Sequence, residues 1–276
     1  MRTLRNLTLL LLTLFVSQNA LAWGSWGHSV VAYIAEKHLT EEAKTQCQHY
    51  LKHTLPYYSS WQDHWRYIPE FVDICNGHMS YVNKDLQIIG RDGDITFDAV
   101  TRLEQHIDFL NNGKYRNHPD SIVALRLKLI IHTAGDMHCP CHIGYSKDCG
   151  LKAHSMLIRG KKVARHRFWD AAPMILHPKW KLENFAEGYD TYNPKQIKKI
   201  CKGDPTKWGL YNARKMVETY SYWDRGQKFE ELSAEQRQTM EDLVHEQIAA
   251  AGYRLAHILN TIFKPEKSKN RLKENN

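Results

Sequence analysis

Beyond its first 22 residues this chain of 276 contains no long apolar run, and that absence sets the first bound on what it can be. A membrane-spanning helix needs about 20 consecutive apolar residues, so no stable membrane anchor is expected in the mature protein. Residue 23 is tryptophan, where a lipid-anchored form would present a cysteine at its cleaved end. Period-two alternation is scarce. Only "DLQIIG" and "SMLIRGKKVARH" suggest strands, enough for a small hairpin and no large sheet. Internal repeats and low-complexity blocks are missing too, which excludes a repeat array.

What the chain does have begins with Arg2 and Arg5, a leucine-rich run around residues 9–16, and the small residues Ala20 and Ala22. Residues 1–22 therefore read as a signal peptide cleaved before Trp23, and the protein as secreted or periplasmic. Losing Arg2 and Arg5 lowers the formal charge from +8 to +6, still a basic balance that suits anionic partners. The chain is 42% apolar, ordinary for a globular protein. One domain over 23–263 is expected, acting as a monomer, with a disordered tail at 264–276 rich in Lys, Glu and Asn.

Helical periodicity dominates the rest. Residues 96–112 put Val100, Leu103, Ile107 and Leu110 on one face, with Thr96 placed to cap the start and Gly113 to end the helix. A second helix over 120–137 turns Ile122, Val123, Leu127, Ile130 and Ile131 inward and stops ahead of Pro140. The longest starts at Ser233, where Ser-Ala-Glu-Gln forms a capping box, and runs through Met240, Leu243, Val244, Ile248, Ala251, Leu255, Ile258 and Ile262 before Pro265. Two more are expected at 28–38 and 40–52. The fold class is thus mainly α, a single-domain multi-helix bundle with a small hairpin.

Sixteen histidines are many, and their placement matters more than their number. In "IIHTAGDMHCPCH", His132 and Asp136 lie four residues apart, which sets both on one helix face. His142 follows just past the proline. "ARHRFWD" repeats the step with His166 and Asp170, while Asp63 in "SSWQDHWR" and His78 in "NGHMSYVN" come earlier. Imidazole nitrogen and carboxylate oxygen are zinc ligands, and a catalytic zinc keeps one position open for water. A single His/Asp pair on a helix is commonly a surface salt bridge. Several in one chain favour a metal.

The residues after the expected cut, Trp-Gly-x-x-Gly-His, resemble the opening of the zinc-dependent single-strand nucleases of fungi and plants, the S1/P1 type. "SSWQDHWR" is similar to that family's Ser-x-Trp-x-Asp segment, "LRLKLIIHTAGDMHCPCH" to its His-x-x-Gly-Asp-Met-x-x-Pro-x-His core, "RHRFWD" to its His-x-x-x-Asp, and "AAGYRLAHILN" to its closing helix. The resemblance implies the phospholipase C/P1 nuclease type of helical bundle and three zinc ions. Asp63, His78, His132 and Asp136 would hold one. The amine and carbonyl of Trp23, with His28 and a shared Asp136, would hold the second, and His142, His166 and Asp170 the third. Asp63 and Asp136 would act in catalysis through a water bridging the metals.

On this reading the leader must leave because the cut creates a ligand. An α-amine with a pKa of about 7.7–8.0 loses its proton at pH 7 for roughly 1 kcal/mol, whereas a lysine would cost roughly 4.6. Before cleavage the same nitrogen is an amide and cannot coordinate. Three dications against three carboxylates leave the site positive, which suits an anionic phosphoester.

Ala164 and the segment Gly150-Leu151-Lys152 stand where the family carries asparagines facing substrate. Placing His78 by its distance from Asp63 makes it the ligand; placing it by the aromatic Tyr81 puts Ser80 there instead. Cys139 and Cys141 invite two readings, a thiolate ligand or a disulfide to Cys149 that clamps the loop bearing His142. Of the six cysteines, these two are too close to pair with each other, and six permit 15 pairings. Among Trp26, Trp61, Trp65, Tyr67 and Tyr145, one or two would stack on bases while the rest pack in the core.

The expected function is an exported zinc-dependent phosphoester hydrolase, an endonuclease or 3'-nucleotidase on single-stranded DNA or RNA. A phospholipase C-like hydrolase and a non-catalytic zinc-binding protein with a relict site remain as alternatives. The five-residue step from Trp23 to His28 and an aspartate, Asp170, in place of the glutamate of the phospholipases favour the nuclease.

Overall fold

Capping residues and apolar stripes partition the chain into short segments that pack around one long helix. The computed structural model describes residues 23–90, 93–145, 155–219 and 228–265; the expected signal segment, Cys149, residues 150–152 and the tail beyond 265 lie outside them. Helices α1 (Gly24–Lys37), α2 (Glu41–Leu51), α3 (Leu55–Tyr58), α4 (Trp61–Trp65) and α5 (Val72–Cys75) precede strand β1 (Ser80–Val82). Helices α6 (Ala99–Leu110) and α7 (Asp120–Asp136) follow, then strands β2 (Ile143–Tyr145), β3 (Ser155–Ile158) and β4 (Lys161–Ala164). The chain closes with α8 (Arg165–Leu176), α9 (Leu182–Tyr189), α10 (Pro194–Ile200), α11 (Pro205–Glu218) and α12 (Ala234–Ile262). The fold is mainly α, with one hydrophobic core. Among the described residues no helix is long and apolar enough to cross a membrane.

Helix α12 runs for 29 residues from the capping box at Ser233, and every apolar residue assigned to its inner face is buried. Each of the Leu, Ile, Val and Met side chains among them contributes about 1.5–3 kcal/mol on leaving water. Gly252 lets α1 lie directly on it: a Cβ there would come within 2.6 Å of Ile34 Cγ2. Nearby, buried Arg254 donates to His138 Nε2 at 2.7 Å and to the Ile200 carbonyl at 3.1 Å. The end of α7, where the histidines and aspartates cluster, is thereby tied to α12.

Three local expectations are corrected. Asp98, not Thr96, caps α6: its Oδ1 accepts from the Val100 N–H at 2.9 Å and the Thr101 N–H at 3.2 Å. A buried carboxylate that also takes the Ser80 hydroxyl at 3.0 Å outcompetes an exposed threonine. The helix also stops at Leu110, with Asn111 as its C-cap, before Gly113. Ile122, in the first turn of α7, is exposed, while Val123, Leu127, Ile130 and Ile131 are buried as expected.

"SMLIRGKKVARH" does form an antiparallel hairpin, Ser155 opposite Ala164, turning through Arg159 and Gly160 at positive φ. "DLQIIG" supplies only an isolated bridge from Ile88 to Val82. The pairing that matters is parallel and unforeseen: Ser80 aligns with Ile143 and Val82 with Tyr145. Its edge bond, Ser80 N–H to the His142 carbonyl at 2.7 Å, fastens the loop bearing His78 beside His142.

Candidate metal centre

Helix α7 sets the centre. His132 and Asp136, four residues apart, point the same way, with His132 Nε2 3.1 Å from Asp136 Oδ2. Helix α1 brings His28 to the other carboxylate oxygen, Nε2 to Oδ1 at 3.2 Å, and stacks its ring on His132 at 4.3 Å. Short helix α4 supplies Asp63, whose Oδ2 lies 3.8 Å from His132 Nε2. One ligand atom each from His28, Asp63 and His132 fall within 4.8 Å of one another, all buried.

A second group lies on the far side of Asp136. His142 Nδ1 is 3.8 Å from Asp136 Oδ1, and its Nε2 faces His166 Nε2 at 2.8 Å and Asp170 Oδ1 at 3.8 Å. Helix α8 carries both partners, with His166 Nε2 to Asp170 Oδ1 at 3.6 Å. His78 tilts against His142 with ring centres 5.4 Å apart, whereas Ser80 spends its hydroxyl on Asp98 and stands outside the cluster. Trp23 is buried at the N-cap of α1, the helix that carries His28, and the eight side chains expected as ligands meet in one region.

The outer contacts orient the rings. His132 Nδ1–H donates to the Ser59 carbonyl at 2.8 Å and His142 Nδ1–H to the His78 carbonyl at 3.0 Å, which leaves each Nε2 lone pair facing inward. Both oxygens of Asp63 and Asp136, both nitrogens of His28, His132 Nε2 and Asp170 Oδ2 are buried without a hydrogen-bond partner. Buried polar groups are rarely left so. Neutral imidazoles and carboxylates converging with open lone pairs fit divalent metal, and they fit zinc.

The protonation pattern agrees. Burial depresses His28, with the His132 charge adding; burial takes His78 down to about 4 and holds His142 well below its ordinary value. His166 is lowered, also by burial. Burial works against charge on His132 as well, yet the Asp136 and Asp63 carboxylates outweigh it and lift that ring to about 9. For Asp136 burial is the largest influence and raises it, but the charges of His132 and His142, with His28 beside them, hold it well below the usual carboxylate range. Burial pushes Asp170 well above that range. Two carboxylates here demand positive charge, and without metal the His132 proton meets part of that demand.

One residue of the centre escaped the sequence reading, Arg66. Arg66, three residues past Asp63, sets Nη1 3.4 Å from Asp63 Oδ1 and 3.0 Å from both ring nitrogens of His78. The i,i+3 spacing was the available signal. Cys139 donates its thiol to Asp170 Oδ1 at 3.6 Å. Among the described residues no disulfide forms, and the expected clamp, a bridge to Cys149, lies outside them. Trp61 and Trp65 stack at 5.5 Å on α4 beside this centre, and Trp65, Tyr67 and Trp26 are exposed. A cleft of about 340 Å³ opens at His78, walled by Met79, Tyr81 and Phe97.

The chain is similar to Nuclease S1 of Aspergillus oryzae, 24% identical over 290 residues that cover 91% of this chain and 95% of that protein. It is likewise 24% identical to Endonuclease 1 of Arabidopsis thaliana over 284 residues, 92% of this chain and 85% of that one. A sequence model of the S1/P1 nucleases matches residues 23–264, and the chain belongs to the S1/P1 nuclease family.

Proposed function

We propose that this protein is an exported nuclease that uses three zinc ions to hydrolyse phosphodiester bonds in single-stranded DNA or RNA, with 3'-nucleotidase action as a facet of the same site. Membership of a metal-dependent nuclease family makes it a hydrolase of phosphodiester bonds. One observation carries the finer reading: buried histidines and aspartates from separate helices converge on Asp136 with lone pairs that no hydrogen bond takes up. Asp63, His78, His132 and Asp136 would hold one ion, Trp23, His28 and Asp136 the next, and His142, His166 and Asp170 the third. Zinc held there would supply Lewis acidity towards a phosphoryl oxygen and acidify water near neutral pH.

The chain's own groups account for the rest. Asp136 turns Oδ1 towards His28 and Oδ2 towards His132, so it would be shared by the two ions that those histidines would hold. Arg66 stands at the edge of Asp63 and His78 with a guanidinium suited to an anionic phosphate. The cleft beside His78 gives a nucleotide room to enter, and the exposed face of Trp65 offers a base a stacking surface. Removal of residues 1–22 would turn the Trp23 amide into an amine; the family match beginning at residue 23 supports that cut.

The test is metal analysis of protein beginning at Trp23, followed by parallel assays on single-stranded DNA, duplex DNA, a 3'-mononucleotide and phosphatidylcholine. Three zinc ions per chain and preference for the single strand are expected. A metal-free protein, or one that cleaves only the lipid, overturns the proposal. Recovery of the expressed protein outside the cytoplasm, starting at Trp23, tests export.

A further inference from the structure

We propose that Cys139 is a fourth protein ligand, as thiolate, of the metal held by His142, His166 and Asp170, so that this metal is closed by the chain while the other two keep open positions. The inference rests on the metal-dependent reading above. After α7 the chain makes two successive tight turns, Cys139 N–H to the Asp136 carbonyl and His142 N–H to the Cys139 carbonyl, both at 2.9 Å. The cysteine and the histidine therefore face the same side. Cys139 Sγ, a His142 nitrogen and an Asp170 oxygen lie within 4.8 Å of one another, each on a buried residue.

An independent observation points into the same space. Asp170 is 5% exposed, and its Oδ2 has no hydrogen-bond partner. Its Oδ1 already gathers the Cys139 thiol at 3.6 Å, His166 at 3.6 Å and His142 at 3.8 Å. Two imidazoles, a carboxylate and a sulfur gathered at Asp170 are a complete set for tetrahedral zinc. On binding, the sulfur–hydrogen bond gives way to a sulfur–metal bond and the proton leaves to solvent; no electron changes hands. Four protein ligands leave that ion no vacant position, so the work on substrate falls to the pair around Asp136.

Cobalt(II) replacing zinc in the protein beginning at Trp23 reads this directly. A thiolate-to-cobalt charge-transfer band in the near ultraviolet is expected for the parent and for Cys141→Ala, and its loss for Cys139→Ala and Cys139→Ser. Affinity for one of the three ions should fall at least about 100-fold in those two variants, beyond what loss of an outer-shell contact brings. Should the variants not fold, X-ray absorption at the zinc edge of the parent decides, with a sulfur neighbour expected at about 2.3 Å. Three bound ions with no sulfur neighbour, a band that survives Cys139→Ala, or Cys139 found in a disulfide overturns this inference alone. Failure to bind any metal overturns the proposed function with it.

Discussion

Gly135→Ala is the sharpest probe of the centre, because the glycine touches no metal and acts only through His28. A Cβ at residue 135 would lie 2.7 Å from His28 Nδ1 and 3.0 Å from its Cε1, against an ordinary contact of 3.4–4 Å. The ring must then retreat by roughly 0.7 Å, on the geometry of a close-packed interior. It has little room: His28 is 1% exposed, stacked on His132, and carried by a helix seated on α12 at Gly252. Overpacking costs about 1–3 kcal/mol, while alanine in a helix returns about 1. The expected net loss is about 0–2 kcal/mol. Activity should suffer far more, about 100-fold, since a misplacement of about 1 Å near the reacting groups costs that much. Zinc per chain should drop by one as His28 Nε2 leaves Asp136. Metal analysis, hydrolysis of single-stranded DNA and thermal melting give the three numbers, and a cycle with His28→Ala isolates the cause. In that cycle the double variant should be no worse than His28→Ala alone. Full metal content with activity within about threefold of the parent would refute the reasoning.

Other perturbations test other parts. Arg66→Lys keeps a charge but loses the fork that meets Asp63 and His78, so kcat/KM should fall about 10–100-fold with metal content unchanged; an unaltered kcat/KM removes Arg66 from phosphate binding. Ala164 occupies the N-cap of α8 at φ −62 and ψ 148 without a side-chain cap, so Ala164→Asn should add about 1 kcal/mol and raise Tm by about 2–4 °C, and a lowered Tm argues otherwise. In metal-free protein His132 has its folded pKa raised to about 9 from an ordinary 6.5, so its contribution is whole below pH 6.5 and is lost as pH rises through 9. Denaturant titrations should show up to about 3 kcal/mol lost across that window, and a flat or rising profile contradicts the charge balance described. A form with one extra residue ahead of Trp23 should bind fewer zinc ions and lose activity; retention of both would show that the terminus is not a ligand.

Much of the helical frame was legible because caps and apolar stripes are local. Ser233 and its glutamine three residues on, or Thr40 accepting from the Ala43 N–H at 3.3 Å, act within one turn and leave their signature in adjacent letters. Misreadings arose where a distant residue intervened. Asp98 caps α6 because the Ser80 hydroxyl and the Tyr81 N–H, nearly twenty positions earlier, also satisfy its carboxylate, and no window around Thr96 contains that information. The three-residue parallel pair of β1 and β2 is too short to leave an alternating pattern, and its partners are 63 residues apart in register.

The centre divides the same way. Ligand type is a property of the letter, so histidines and aspartates four apart announced themselves on α7 and α8. Closeness is a property of what is missing, and a glycine does not say what will rest on it. Gly135 sits between His132 and Asp136 for a steric reason: those two groups can share a partner from α1 only if the helix offers a bare surface where the His28 ring comes down. The choice between His78 and Ser80 turned likewise on a long-range bond. Once the Ser80 N–H is fixed to the His142 carbonyl and its hydroxyl to Asp98, the loop before it carries His78 to the His142 ring. Cys139 shows the same dependence: its letter left a thiolate ligand and a disulfide both open, and two tight turns after α7 carry its sulfur to Asp170.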